Sequence, residues 1–198
     1  MTKTRLWSTS VILLLLITLF FYLGGYKLDA LGAARANSFV PKDSVLLDEV
    51  DYPWGKVLIF DSSEKPITAI SFKSFGLLWI SRTSTYYFHN DDPIKTIGGV
   101  IYSDDKGRAA TVLSVLLNDP QISYLEAGPD GNRFRKKAEL NVPITFYWDK
   151  SFPWNDFNAK AFNENGKVLY EYRYPETNYI RSEDLKWYPV SVKSTQRD

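Results

Sequence analysis

From Leu6 to Gly25 the chain runs for 20 residues without a charge, and after Pro41 the pattern changes to short β-branched and aromatic runs broken by polar turns. A helix rises about 1.5 Å per residue, so the first stretch reaches roughly 30 Å, the thickness of a bilayer core. It predicts a transmembrane helix over 6–25 behind a five-residue cytoplasmic tail, 1–5, that carries Lys3 and Arg5. Trp7 and Tyr22 stand near the two ends, where amphipathic rings favour the headgroup region, and complete the expected membrane anchor. A cleaved signal peptide remains open. Thr2-Lys3-Thr4-Arg5 is a basic start, Val11 to Leu23 an apolar centre, and small residues at Ala30-Leu31-Gly32 and Gly32 to Ala36 could satisfy a cleavage rule. They lie far from the apolar centre, so retention is the expectation. Lys3 and Arg5 face Lys27 and Arg35 across the run, nearly a tie in basic residues. A basic tail before an N-terminal anchor favours the cytoplasmic side for the N-terminus and the outside for the rest.

Residues 26–40 are expected to form a stalk that continues the helix, with Leu28, Leu31 and Arg35 at helical spacing and Pro41 as the stop. Beyond it the chain reads as mainly β. Val45–Val50, Lys56–Phe60, Ile67–Phe72, Leu77–Ser81 and Thr85–His89 are predicted strands at a spacing of roughly ten residues, the signature of an antiparallel meander. Asn90-Asp91-Asp92-Pro93 divides this half, 41–92, from a β-sandwich-like half, 93–192. The second half offers Thr96–Ser103, then Ala109–Leu117, where Thr111, Val112 and Val115 tip an ambiguous run towards strand. Ile122–Glu126 and Phe134–Leu140 flank a Gly-Pro-Asp-Gly-Asn turn, and Asn158–Phe162 and Val168–Tyr174 flank Asn163-Glu164-Asn165-Gly166. Ile144–Trp148 and a closing edge strand, Trp187–Val192, complete the set, and 193–198 reads as a frayed polar tail.

The chain has 24 Lys+Arg, 23 Asp+Glu, one His and no Cys. Without Cys there are no disulfides, thiol catalysis or thiolate metal sites, and one His excludes any site that needs two imidazoles. Without Lys3 and Arg5 the body holds 22 basic and 23 acidic residues, which removes a global electrostatic case for nucleic acid. The 173 residues after the anchor are enough for an independent core.

Asn118-Asp119-Pro120-Gln121-Ile122, a Gly hairpin, a strand ending in Phe146-Tyr147-Trp148, and Asn165-Gly166-Lys167-Val168-Leu169-Tyr170 follow one another. Together with Phe75-Gly76-Leu77-Leu78-Trp79, they resemble small single-pass, membrane-anchored proteins of bacilli and related Gram-positive bacteria. The resemblance implies a cell-envelope placement and brings no activity, cofactor or site residue with it.

Candidate chemistry is sparse. His89 has Asp91 and Asp92 nearby but no Ser elbow. Ser62-x-x-Lys65 and Ser103-x-x-Lys106 match a penicillin-recognising spacing but sit in acidic turns. Asp48, Glu49, Asp149 and Asp156 could pair for glycoside hydrolysis only if the fold brings them together. Asn163-x-Asn165-Gly166 and Asp104-Asp105 fall short of a calcium loop. No catalytic, cofactor or metal residue is expected, and no cofactor. Arg133, Arg135 and Lys137 would share one strand face, suited to anionic headgroups or wall polyanions, or simply to solvent. The strongest signal is aromatic, at 6 Trp, 13 Tyr and 12 Phe. Trp148, Phe152 and Trp154 lie in a turn-rich stretch, with Trp187 and Tyr188 near the end. Exposed, they would form a ligand surface for sugar rings or a protein; folded back, they would cap the core. The expectation is therefore a non-catalytic, membrane-anchored binding or envelope-accessory domain outside the cell. Its partners would be the membrane and an envelope protein, or alternatively a wall glycan, with an unrecognised hydrolase as a further alternative.

Overall fold

The computed structural model describes residues 3–190, and within the first helix the side chains of Trp7 and 10–23. The side chains of Lys3 and Arg5, and the tail 193–198, lie outside the described residues. Among the described residues, two helices, α1 (Lys3–Leu23) and α2 (Ala30–Arg35), precede twelve strands. Among the described residues, no helix is long and apolar enough to cross a membrane.

The strands form three antiparallel sheets. The first is a meander of β1 (Val45–Tyr52), β2 (Gly55–Asp61), β3 (Ile67–Ser74) and β4 (Leu78–Tyr86), in sequence order. The second joins β5 (Ile94–Ser103), β6 (Ala109–Leu117) and β9 (Ile144–Trp148). The third runs in the order β12-β11-β10-β7-β8, from β12 (Lys186–Pro189), β11 (Val168–Arg173), β10 (Lys160–Phe162), β7 (Tyr124–Ala127) and β8 (Phe134–Lys137). A short 3-10 turn, Trp154–Phe157, links β9 to β10.

Side-chain alternation stacks these sheets into layers. In β2, Val57 to Phe60 are all fully buried. Val57 and Ile59 join a core with Ile70 of β3 and Val100, Ala110 and Val112 of β5 and β6. Leu58 and Phe60 point the other way, into a core with Ala34 of α2, Val40, Ile67 and Ala69. A strand covered on both faces reads as a continuous apolar run, which is what this sequence shows. β6 repeats the logic. Ala110 and Val112 face the first sheet, whereas Leu113, Val115 and Leu117 face a third core with Phe146, Trp148, Leu125, Ala161, Tyr172 and Trp187. The break at 92/93 therefore separates two sheets but not two cores.

The first and second sheets approach closely at Gly98-Gly99. A methyl group at Gly98 would stand 2.6 Å from Ile59 Cγ2, so any larger residue would push the layers apart. Thr68 Oγ1 accepts the Gly99 N–H at 2.9 Å, and Thr85 Oγ1 donates to the Gly99 carbonyl at 2.7 Å.

Two expectations are corrected. The stalk 26–40 does not continue α1, which ends at Leu23. Asp29 caps α2 by accepting the Gly32 N–H at 2.6 Å, and Ala30, Ala33 and Ala34 are buried against β2, β3 and β4. Small residues at this spacing let a helix lie close on a sheet. Leu77–Ser81 and the start of Thr85–His89 merge into the single edge strand β4, which ends at Tyr86 and keeps its pairing to β3 through Thr83 and Ser84 with an irregularity at Arg82. The run 109–117 is a strand, and the turns at 128–132 and 163–166 close hairpins.

Candidate functional site

At the N-terminal end, the anchor residues Trp7 and Tyr22 are exposed, at 77% and 65%. Lys27 Nζ stands 4.2 Å above the Tyr22 ring. Lys27 also exchanges backbone hydrogen bonds with Trp79 at 2.9 and 2.8 Å, which pins the end of α1 to the β3–β4 hairpin.

The aromatic ligand surface is corrected. Trp148 and Trp187 are each 3% exposed and belong to the core between the second and third sheets. Trp148 Nε1 donates to the Asn132 carbonyl at 3.0 Å. Phe152 packs edge-on against Trp148 at 5.1 Å, and Trp154 stacks on buried Phe157 at 4.7 Å. Tyr188 is half-buried and donates to the Asp184 carbonyl at 2.9 Å. The stretch after β9 folds back over the sandwich because covering the rings of Phe152, Trp154 and Phe157 outweighs leaving them in water. These residues present no coplanar exposed row for a sugar.

What the fold builds instead is a cleft of about 280 Å³ where the end of β4, β5, the 3-10 turn, β11 and the approach to β12 converge. Tyr87, Phe88, Trp154, Tyr172 and Tyr174 line it with rings, and Thr96, Glu183 and Lys186 add polar groups. Thr96 Oγ1 and Tyr172 Oη are buried there close to each other, and neither makes a hydrogen bond of normal geometry. Unpaired buried polar atoms are uncommon and costly, and at a cavity wall they mark where a bound group would bond. Burial pushes both the Tyr87 and Tyr172 hydroxyls well above the usual tyrosine value, the Thr96 hydroxyl opposing the shift at Tyr172. The phenols therefore stay neutral and serve as donors. At the rim, Lys186 Nζ lies 3.5 Å from Asp92 Oδ2. The sequence gives no sign of this cleft, because its walls come from five separate stretches and depend on which alternate residues of β5 and β11 turn inward.

A second aromatic cluster closes the opposite core. Trp54 stacks between Tyr52, at 5.0 Å, and Phe72, at 5.6 Å, and the Arg108 guanidinium lies 4.5 Å over Phe72. Asp104 holds Arg108 and accepts from the Tyr102 hydroxyl at 2.7 Å. The Arg108 guanidinium holds the Asp104 carboxyl well below the usual carboxylate range. This network orders a turn.

The remaining candidates resolve into structure. His89 Nε2 meets Asp61 Oδ1 at 2.7 Å on the surface. Ser62 Oγ donates to the Lys65 carbonyl, closing a turn rather than pairing with the Lys65 ammonium. Asp48 accepts from Thr145 Oγ1, and Glu49 pairs with Lys56, so this carboxylate pair is spent on packing. The carboxyls that shift, Asp43, Asp104 and Asp184, are all lowered, the opposite of what a general acid needs. Asn163 Oδ1 accepts the Asn165 and Lys167 N–H groups. Among the described residues, no group of three or more acidic or His residues could hold a metal ion. On the basic face, Arg135 pairs with Glu126 at 2.6 Å, and Arg133 donates to the Gly128 and Asn158 carbonyls.

No family model matches the chain, and no curated protein or solved structure matches it.

Proposed function

We propose that this chain is a single-pass membrane protein, N-terminus in the cytoplasm, that displays a non-catalytic binding body outside the cell. The observation that carries the reading is α1. Its large apolar side chains from Val11 to Leu23, Phe21 excepted, are 45% to 74% exposed, and no described α1 side chain joins any of the three cores. Each such side chain left in water forgoes about 1.5–3 kcal/mol of burial, and a patch of this extent calls for a cover. The α1 backbone runs for 21 residues, and the chargeless run extends to Gly25. The described part of α1 alone falls short of a membrane span, and it is the full uncharged run 6–25 of the sequence that has the length for lipid as the cover.

Retention is favoured over cleavage by α2. The small residues that could direct cleavage, 30–36, form this helix, and removing it would strip Ala30, Ala33 and Ala34 from the first sheet. The cleft lined by Thr96 and Tyr172 is the seat we propose for a partner, an envelope protein offering a neutral group. A glycan reading through the aromatic loop loses its support with the burial of Trp148 and Trp187.

The test is fractionation of the C-terminally tagged chain, an alkaline carbonate wash of the membranes, and the intact mass of the product. A full-length mass in the washed pellet is expected. A shortened, soluble chain beginning within 33–37 would overturn the reading.

A further inference from the structure

We infer that the β3–β4 hairpin tip, Phe75-Gly76-Leu77, is a second membrane contact that enters the headgroup and upper acyl region beside the end of α1. This rests on the anchor reading above, since it takes α1 as the segment that crosses.

The tip differs from the other tight hairpin turns of the fold: the β1–β2 turn carries Trp54, but half-buried and stacked on Tyr52 and Phe72. Hairpins at 62–66, 104–108, 128–133 and 163–167 close with Ser, Asp, Asn, Gly, Pro and charged residues. This one closes with Phe75, 74% exposed, and Leu77, 81% exposed. Phe75 adopts φ 48°, a left-handed backbone that bulky residues rarely take. A strained turn that holds an aromatic ring out of the body gains nothing from the folded core.

The tip is also fixed in place. The Phe75 ring meets Phe21 of α1 at 5.7 Å and Tyr26 at 6.1 Å. The Lys27–Trp79 bridge ties the strand beneath it to the chain leaving the helix. Wherever the C-terminal end of α1 sits, the tip sits with it. Its apolar surface is continuous with that of Tyr22 and Leu23 through Phe21, and Leu28 beyond the bridge is 81% exposed.

The charges at its border suit phospholipid. Lys27 Nζ lies 4.2 Å over Tyr22, and Lys73 Nζ 5.5 Å over Trp79. Apolar residues projecting past a border of aromatic rings and ammonium groups match the acyl, interfacial and phosphate depths of a leaflet. A two-point contact would hold the body at one angle to the bilayer, where a free stalk would let it swing.

The chain has no Cys, so single cysteines can report depth. Leu77→Cys, Leu16→Cys and Asn165→Cys, in the full chain, would each carry a nitroxide in nanodiscs of phosphatidylcholine and phosphatidylglycerol. Power saturation would compare collisions with oxygen, which concentrates in lipid, against a water-soluble nickel chelate. All three sites are exposed, so the label leaves the cores intact. Expected is a strong oxygen preference at residue 16, a clear one at 77, and a nickel preference at 165. Lipid exposure at 16 with residue 77 as accessible to nickel as 165 would overturn the tip contact and leave the anchor standing. Water exposure at 16 would overturn both.

Discussion

Tyr172 and Thr68 show how much one hydroxyl weighs in this protein. Tyr172 Oη is buried with the Thr96 hydroxyl near it but no hydrogen bond of normal geometry, so its removal should cost little. Tyr172→Phe is expected to leave the melting temperature unchanged or raise it by a few degrees, as about 1–3 kcal/mol of unpaired-group penalty is relieved. A large drop would mean that the hydroxyl is satisfied and that the cleft holds no waiting donor. Thr68 is the opposite case, because its Oγ1 accepts the buried Gly99 N–H. Thr68→Val keeps the shape and strands that N–H, so a loss of about 1–3 kcal/mol is expected, roughly 3–10 °C by thermal unfolding. Neither role is legible in the sequence. Alternation marks Thr68 and Thr96 as strand residues, but not which hydroxyl meets a partner from another sheet.

At the scale of elements, periodicity carries most of the information. The runs at 45–50, 56–60 and 67–72 became neighbouring strands of one meander, because short polar turns leave antiparallel pairing as the nearest solution. Ala109–Leu117 had good helix formers yet is a strand, its β-branched residues filling both faces of a central position in its sheet. The reading of 26–40 as a stalk failed for a physical reason. Helical spacing alone cannot distinguish a solvated helix from one whose alanines lie on a sheet. Ala34→Asp should therefore place a charge without a partner in the core beside Leu58 and Phe60, at a cost of about 3–5 kcal/mol. Arg35→Glu, on the exposed side, should be nearly neutral. Equal unfolding midpoints for the two variants would contradict the docking of α2. The aromatic loop was legible as a choice between ligand surface and cap, and burial decided for the cap.

On the scale of the whole molecule, the shared cores make the layers interdependent. The Tyr52, Tyr87 and Tyr172 hydroxyls are all pushed above the ordinary tyrosine value, mainly by burial. Their folded values exceed the unfolded one, near 10. Stability from these groups is thus fully present below that pH and is lost as pH rises through the folded values. In an alkaline titration of the solubilised chain, part of the tyrosinate absorbance should appear only as the β signal collapses. Ionisation of all 13 tyrosines near pH 10 with the sheets intact would contradict this burial. The expectation of a membrane placement rests on the uncharged run of 20 residues, and no packing of the β body bears on it. The most direct test is to add protease outside intact, wall-stripped cells that express the chain with a C-terminal tag. Loss of the tag while the membrane is whole is the expected result. Survival of the tag until the membrane is broken would contradict display of the β body outside the cell.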